Sequence, residues 1–305
     1  MTSISIALIT GVVGGLLLLA TMAFGLTRWG DRRFFLETQA LTRRLEASRG
    51  DAAVDRYDVS ELEGLPSPVQ LYFQRALKPG QKIVAGVEIS HVGTFNMSQQ
   101  GQRWRPFSSD QRVVTQRPGF VWSGRINLFA GAAAFVHDAY VAGHGILSPT
   151  LMGLFSLGKQ QHGDALDRAE LIRYLAEAAW YPTALLPSQG VSWSAVDKHS
   201  ANATLRDGRS TVTLLFSFNE HGMIASASSD ARGAIDGGVL IMRPWEGRWS
   251  TYRRREGMRV PTSGEAAWLV HGRRMPYWRG VVTSLTYGFV VPGASHSGRI
   301  VSPDR

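Results

Sequence analysis

Three side chains have the types and spacing to do chemistry together. Asp138 lies in His137-Asp138-Ala139-Tyr140. In a strand Asp138 and Tyr140 share one face and His137 takes the other. Arg173 and Glu177 are four residues apart in a helical segment, with Glu170 three residues before Arg173. That spacing lets Arg173 and Glu177 pair on one helix face. If this face meets Asp138, an Asp–Arg–Glu network forms inside a sheet. Two carboxyl groups held apart in pKa by a guanidinium make an acid/base pair, so Asp138, Glu177 and Arg173 are the candidate catalytic residues. The blander alternatives are a structural Asp–Arg pair and a solvated helix pair worth roughly tenths of a kcal/mol.

Aromatic side chains gather around the same residues. Trp104-Arg105-Pro106-Phe107 leads to Gln111, Phe120 and Trp122, and the helix exit carries Trp180-Tyr181-Pro182. Read as a pocket, the lining is Trp104, Gln111, Phe120, Trp122, Asp138, Tyr140, Arg173, Tyr174, Glu177 and Trp180. Arg173 would then meet an anionic headgroup. Read as packing, the same rings are ordinary core payload.

The standard catalytic strings are absent: no GxSxG, HExxH, P-loop or GxGxxG after a strand. Gly143-His144-Gly145 reads as a turn. The spacing of His137 and His144 matches no standard metal site, and without cysteine the chain has no disulfide or thiolate site. No metal and no cofactor is expected.

The elements that must position these residues are mostly strands. A short helix opens at Pro66-Ser67-Pro68 and stops at Lys78-Pro79-Gly80. Extended segments follow at Ile83–Phe95, Gln111–Thr115, Phe120–Leu128 and Ala132–Val141. A helix covers Asp167–Ala179 and ends before Pro182. Strands resume at 191–196, 202–205, 210–219, 222–228, 239–241, 249–254, 265–270 and 277–285. About ten short strands and one inserted helix predict a mainly β (α+β) fold. It is a curved antiparallel sheet or open barrel with the helix on its concave face.

The N-terminus has a different character. Ser3–Leu26 carries no charged side chain. At about 1.5 Å per residue it spans a bilayer core as a helix. The alternative, a cleaved signal peptide, would want a basic start and a shorter apolar core than this. Arg28, Arg32, Arg33, Arg43 and Arg44 follow the run, and no Lys or Arg precedes it. That asymmetry places the C-terminal side in the cytoplasm of a single-pass inner-membrane protein, with a periplasmic domain as the alternative. The expected organisation is an anchor over 1–27, a juxtamembrane helix and linker over 28–62, a β-rich domain over 63–291 and a disordered tail over 292–305. The net charge of +9 is scattered rather than striped, which argues against nucleic acid and for anionic lipid beside the anchor.

Several motifs recur together. They are Leu65-Pro66-Ser67-Pro68-Val69 with Tyr72-Phe73, Trp104-Arg105-Pro106-Phe107 with Gln111, and Gly119-Phe120-Val121-Trp122. Asp138 with Gly143 and Gly145 follows, then Arg173-Tyr174-Leu175-Ala176-Glu177, Trp180 and Pro182-Thr183-Ala184-Leu185. In this order, over roughly residues 60–255, the chain resembles an uncharacterised bacterial family known as a domain of unknown function. The resemblance implies a shared β-rich domain, often behind a membrane segment, and no reaction.

Three functions fit these observations. The first is a membrane-anchored module that binds a lipid or other apolar ligand, since carriers of lipids and lipoproteins hold acyl chains in a curved sheet closed by a helix. The second is a hydrolase or isomerase using Asp138 and Glu177. The third is a structural domain of an envelope complex.

Overall fold

The computed structural model describes residues 2–98, 101–129, 131–158, 163–236 and 239–291. The tail from residue 292 lies outside the described residues. One helix, α1, runs from Thr2 to Ala47 and α2 covers Ser67–Ala76. Six strands follow: β1 Val84–Asn96, β2 Trp104–Val114, β3 Gly119–Phe129, β4 Ala132–Val141, β5 His144–Leu151 and β6 Phe155–Ser156. Helix α3, Asp164–Glu177, interrupts them. Seven more strands complete the chain: β7 Ser192–Asp197, β8 Ser200–Asp207, β9 Ser210–Phe218, β10 Ile224–Asp236, β11 Val239–Arg255, β12 Met258–Val270 and β13 Arg273–Phe289.

All these strands form one antiparallel sheet in the order β6-β5-β4-β3-β2-β1-β13-β12-β11-β10-β9-β8-β7. The first strand therefore lies in the middle, paired to β2 and to the last strand. The inserted helix explains the shape. α3 follows one edge strand and precedes the other, and it packs on β5 at one flank and on β9 and β10 at the other. The sheet wraps around it. The Tyr140 hydroxyl on β4 donates to Asp207 Oδ2 at the end of β8 (2.9 Å), which ties the two flanks together. The core fills the concave side, with Ile89, Phe120, Leu171, Leu175 and Phe216 among its buried residues.

The expected fold class holds, with thirteen strands in place of about ten. The added strands are β5 and β6, while the segments expected at 239–241 and 249–254 are one strand, β11, which runs through Pro244. Opposite it the register with β10 shifts between Ser229 and Arg232, and at such a bulge a missing N–H costs the ladder little. A second shift at Ala266/Ala267 faces Pro276 on β13.

The apolar part of α1 stands clear of the sheet, with Leu16–Leu19, Met22 and Phe24 exposed. It is one N-terminal helix long and apolar enough to cross a membrane. Its second half lies on the convex face of β2–β4. Phe34 stacks on His137 (ring centres 4.1 Å apart), the Thr38 hydroxyl meets His137 Nε2 at 2.7 Å, and Leu45 is buried among Val114, Val121, Ala139 and Val141. Gly30 sits directly against the Met152 carbonyl, where any side chain would collide.

Candidate functional site

The concave face carries an apolar cavity of about 410 Å³. This lies within the roughly 300–1,000 Å³ of small-molecule sites. Six tryptophans line it: Trp122, Trp180, Trp245, Trp249, Trp268 and Trp278. Three stand in the same local pattern, Trp122-Ser123-Gly124, Trp245-Glu246-Gly247 and Trp278-Arg279-Gly280. Residues two apart share a strand face, and each ring lies over the glycine beside it, where a side chain would collide with the indole. The glycines thus let the rings lie flat along the strands and leave open space above them.

A polar floor runs along one side, beneath α3. Arg173 Nη1 donates to Asp138 Oδ2 (2.6 Å) and Arg173 Nε to Glu177 Oε1 (2.7 Å). Gln111 Nε2 donates to Glu177 Oε2 (2.6 Å). The guanidinium also lies over Phe120 (4.8 Å to the ring centre) and Trp122 (5.3 Å). Such contacts favour a buried cation. Arg173 is thus held on several sides at once.

Glu170 completes the floor. It is buried, and burial first and the Asp138 charge second push its carboxyl well above the ordinary range. Asp138 Oδ1 and Glu170 Oε2 have no hydrogen-bond partner, and Arg232 Nη2 lies 3.6 Å from Glu170 Oε2. Arg232 reaches in from β10. Its Nε donates to the Ala169 carbonyl (3.1 Å) and its Nη1 to the Tyr277 hydroxyl (3.1 Å), which also accepts from Trp245 Nε1 (3.0 Å). Arg232 and Tyr277 both stand at the two register shifts. Bulges re-aim side chains in this way beside functional sites. Two guanidiniums thus stand among three carboxyl groups, and each is engaged by side chains of the floor.

The structure brings Trp122, Asp138, Arg173, Glu177 and Trp180 together at the cavity wall. Gln111 and Phe120 lie behind it, against Glu177 and Arg173. Tyr140 is buried at the Asp207 contact, and Tyr174 packs on Tyr181 (5.6 Å between ring centres). Trp104 is on the outer face, under the Arg279 guanidinium (4.4 Å). From sequence Glu170 was expected only as a second partner of Arg173, and nothing there pointed to Arg232, Tyr277 or the four tryptophans of β11–β13. The repeated Trp-x-Gly triplet was the signal that could have found two of those rings.

Two buried histidines make the fold sensitive to acid. His91, between Trp180 and Trp278, has its pKa lowered to about 3 by burial and then by the Arg173 charge. His137, under α1, is lowered to about 4, chiefly by burial. Unfolded, both take up a proton near the ordinary value of 6.5. The unfolded chain therefore binds more protons below that pH, so stability is complete above it and falls as pH drops toward 4 and then 3. Denaturant midpoints from pH 7 to 4 should decline, and His137→Phe should flatten the slope. A flat profile in the parent chain would contradict the burial of these rings.

A family model covers residues 63–287. The chain belongs to DUF6920, a family of unknown function. The DUF6920 segment contains every residue of the cavity and its floor, and α1 precedes it. Among curated proteins none matches the chain in sequence. Two solved structures are similar in outline. A LolA superfamily protein from Nitrosomonas europaea is 7% identical, with 74% of this chain and 94% of that one covered and a TM-score of 0.39. A beta-barrel-like protein of domain of unknown function DUF1849 from Brucella abortus is 9% identical, with 68% and 99% covered and a TM-score of 0.20. Likenesses at this distance carry no function to the DUF6920 segment.

Proposed function

We propose that this protein is a membrane-tethered module that binds an uncharged apolar molecule, such as a lipid tail, in the tryptophan-lined cavity. The observation that carries the reading is the cavity itself: about 410 Å³ of open space walled by six indoles. A concave, mostly apolar space of this size with a few convergent polar groups is the form that small-molecule sites take. The ion pairs of the floor specify the ligand further. Arg173 is engaged by Asp138 and Glu177 at 2.6 and 2.7 Å, so it has little to offer an anionic headgroup. Apolar burial supplies the affinity, at about 25 cal/mol per Å².

α1 serves as the tether, with Arg28, Arg32 and Arg33 retaining the domain on the cytoplasmic side. The catalytic alternative is less well supported. The carboxyl whose pKa is raised is that of Glu170, a residue that the acid/base reading did not use.

A titration tests the reading. The full chain in detergent is titrated with a brominated long-chain alcohol while tryptophan emission is followed. Bromine quenches indoles it touches, so emission should fall in a saturable phase near one ligand per chain. The corresponding brominated acid should bind more weakly above its pKa. Quenching that grows linearly with the probe, without saturation, would contradict the proposal.

A further inference from the structure

The mouth of the cavity, the apolar hairpin tips and the exit of α1 all lie at one end of the sheet. Because all neighbours are antiparallel, the β1–β2, β3–β4, β5–β6, β8–β9, β10–β11 and β12–β13 connections fall at the same strand end, the β8–β9 turn being polar. α1 leaves the sheet there. Gly30 abuts Met152 and Gly153 in the β5–β6 turn, whereas Glu46, sixteen residues later, pairs with Arg112 near the opposite end of β2. The apolar part of α1 therefore projects beyond the hairpin tips. The cavity is lined at the same end by Met97, Leu240, Val270 and Met275, from three of those hairpins.

The tips have an unusual surface. Met97, Phe129, Phe155, Leu157, Val239 and Met242 are all exposed, Phe129 by 72% and Val239 by 62%. Other exposed apolar residues, such as Val92, Val196 and Val281, are scattered over the strands and need no explanation, but six gathered beside the hairpin tips mark an interaction surface. Exposed Arg28, Arg32, Arg103 and Arg273 stand around it. Apolar tips ringed by arginine match the acyl boundary and anionic headgroups of a bilayer. A partner protein could also cover apolar tips. The direction of α1 decides between them, because whatever faces this end faces the surface from which α1 emerges.

We propose that this end of the sheet docks on the lipid bilayer, with the hairpin tips in the headgroup layer and the cavity mouth open to the membrane rather than to water. The inference rests on α1 as a membrane span and not on what fills the cavity. It gives the cavity a route by which an apolar molecule passes between bilayer and protein without crossing water.

The chain has no cysteine, so single labels report single sites. Four full-length variants, Leu18→Cys, Phe129→Cys, Met242→Cys and Arg254→Cys, carry an environment-sensitive fluorophore in vesicles of phosphatidylethanolamine and phosphatidylglycerol. Quenchers are placed on the lipid chains or, as iodide, in the water. Labels at 18, 129 and 242 should be quenched from the lipid, and the label at 254, on the far hairpin, only by iodide. If 18 is quenched from the lipid while 129 and 242 behave like 254, the docking is wrong and the anchor stands. If 18 is not quenched from the lipid, both fail.

Discussion

Replacing Arg173 with alanine is expected to cost about 3–5 kcal/mol of stability, the range seen when one partner of a buried ion pair is removed. The variant would leave Asp138 and Glu177 under α3 without their cation. It would also remove the charge that lies over Phe120 and Trp122. Arg173→Lys should fail nearly as badly. A single ammonium cannot hold two carboxylates in the fixed geometry that a planar guanidinium reaches. Adding Asp138→Asn and Glu177→Gln to Arg173→Met should recover much of the loss, because the desolvation penalty leaves with the charges. Denaturant unfolding of these variants measures the effect. A cost below about 1 kcal/mol for Arg173→Ala, the value of a surface pair, would mean that water reaches this network and that the floor is not the closed structure described.

Filling the cavity should abolish ligand binding while the fold survives. Ala266 lines the cavity from β12 and is only partly covered. Ala266→Trp places a seventh indole into open space, so the overpacking cost should stay near the low end of about 1–3 kcal/mol. Affinity for an apolar molecule should fall at least about tenfold, which is about 1.4 kcal/mol. The titration with a brominated alcohol reads the affinity, and denaturant unfolding reads the stability. Unchanged affinity in a well-folded Ala266→Trp protein would place the ligand elsewhere.

The residues that sequence made legible are those governed by a single period. The two-residue period of β4 put Asp138 and Tyr140 on the inner face and His137 on the outer, where it meets α1. The four-residue spacing on α3 paired Arg173 with Glu177. The same parity argument would have separated Trp104 from Gln111, seven residues apart on β2, and they do face opposite ways. What periodicity does not carry is a bulge. Arg232 and Tyr277 reach the floor at register shifts that alternation along one strand does not reveal. Long-range contact is equally invisible. Glu170 was expected to share Arg173, yet it stands beside Arg232 (3.6 Å), and burial raises its pKa. Merging the segments 239–241 and 249–254 into one strand required β10 to absorb the irregularity opposite Pro244. The antiparallel fold itself was legible because its turns and strands are local.

The most direct test of a ligand-holding cavity is native mass spectrometry of the full chain released from detergent micelles, side by side with Ala266→Trp. Lipid around α1 is common to both proteins, so only the difference reports the cavity. The account predicts one apolar molecule per chain that survives removal of the micelle in the parent protein and is missing from the variant. Identical spectra, with nothing retained or the same mass retained in both, would contradict it.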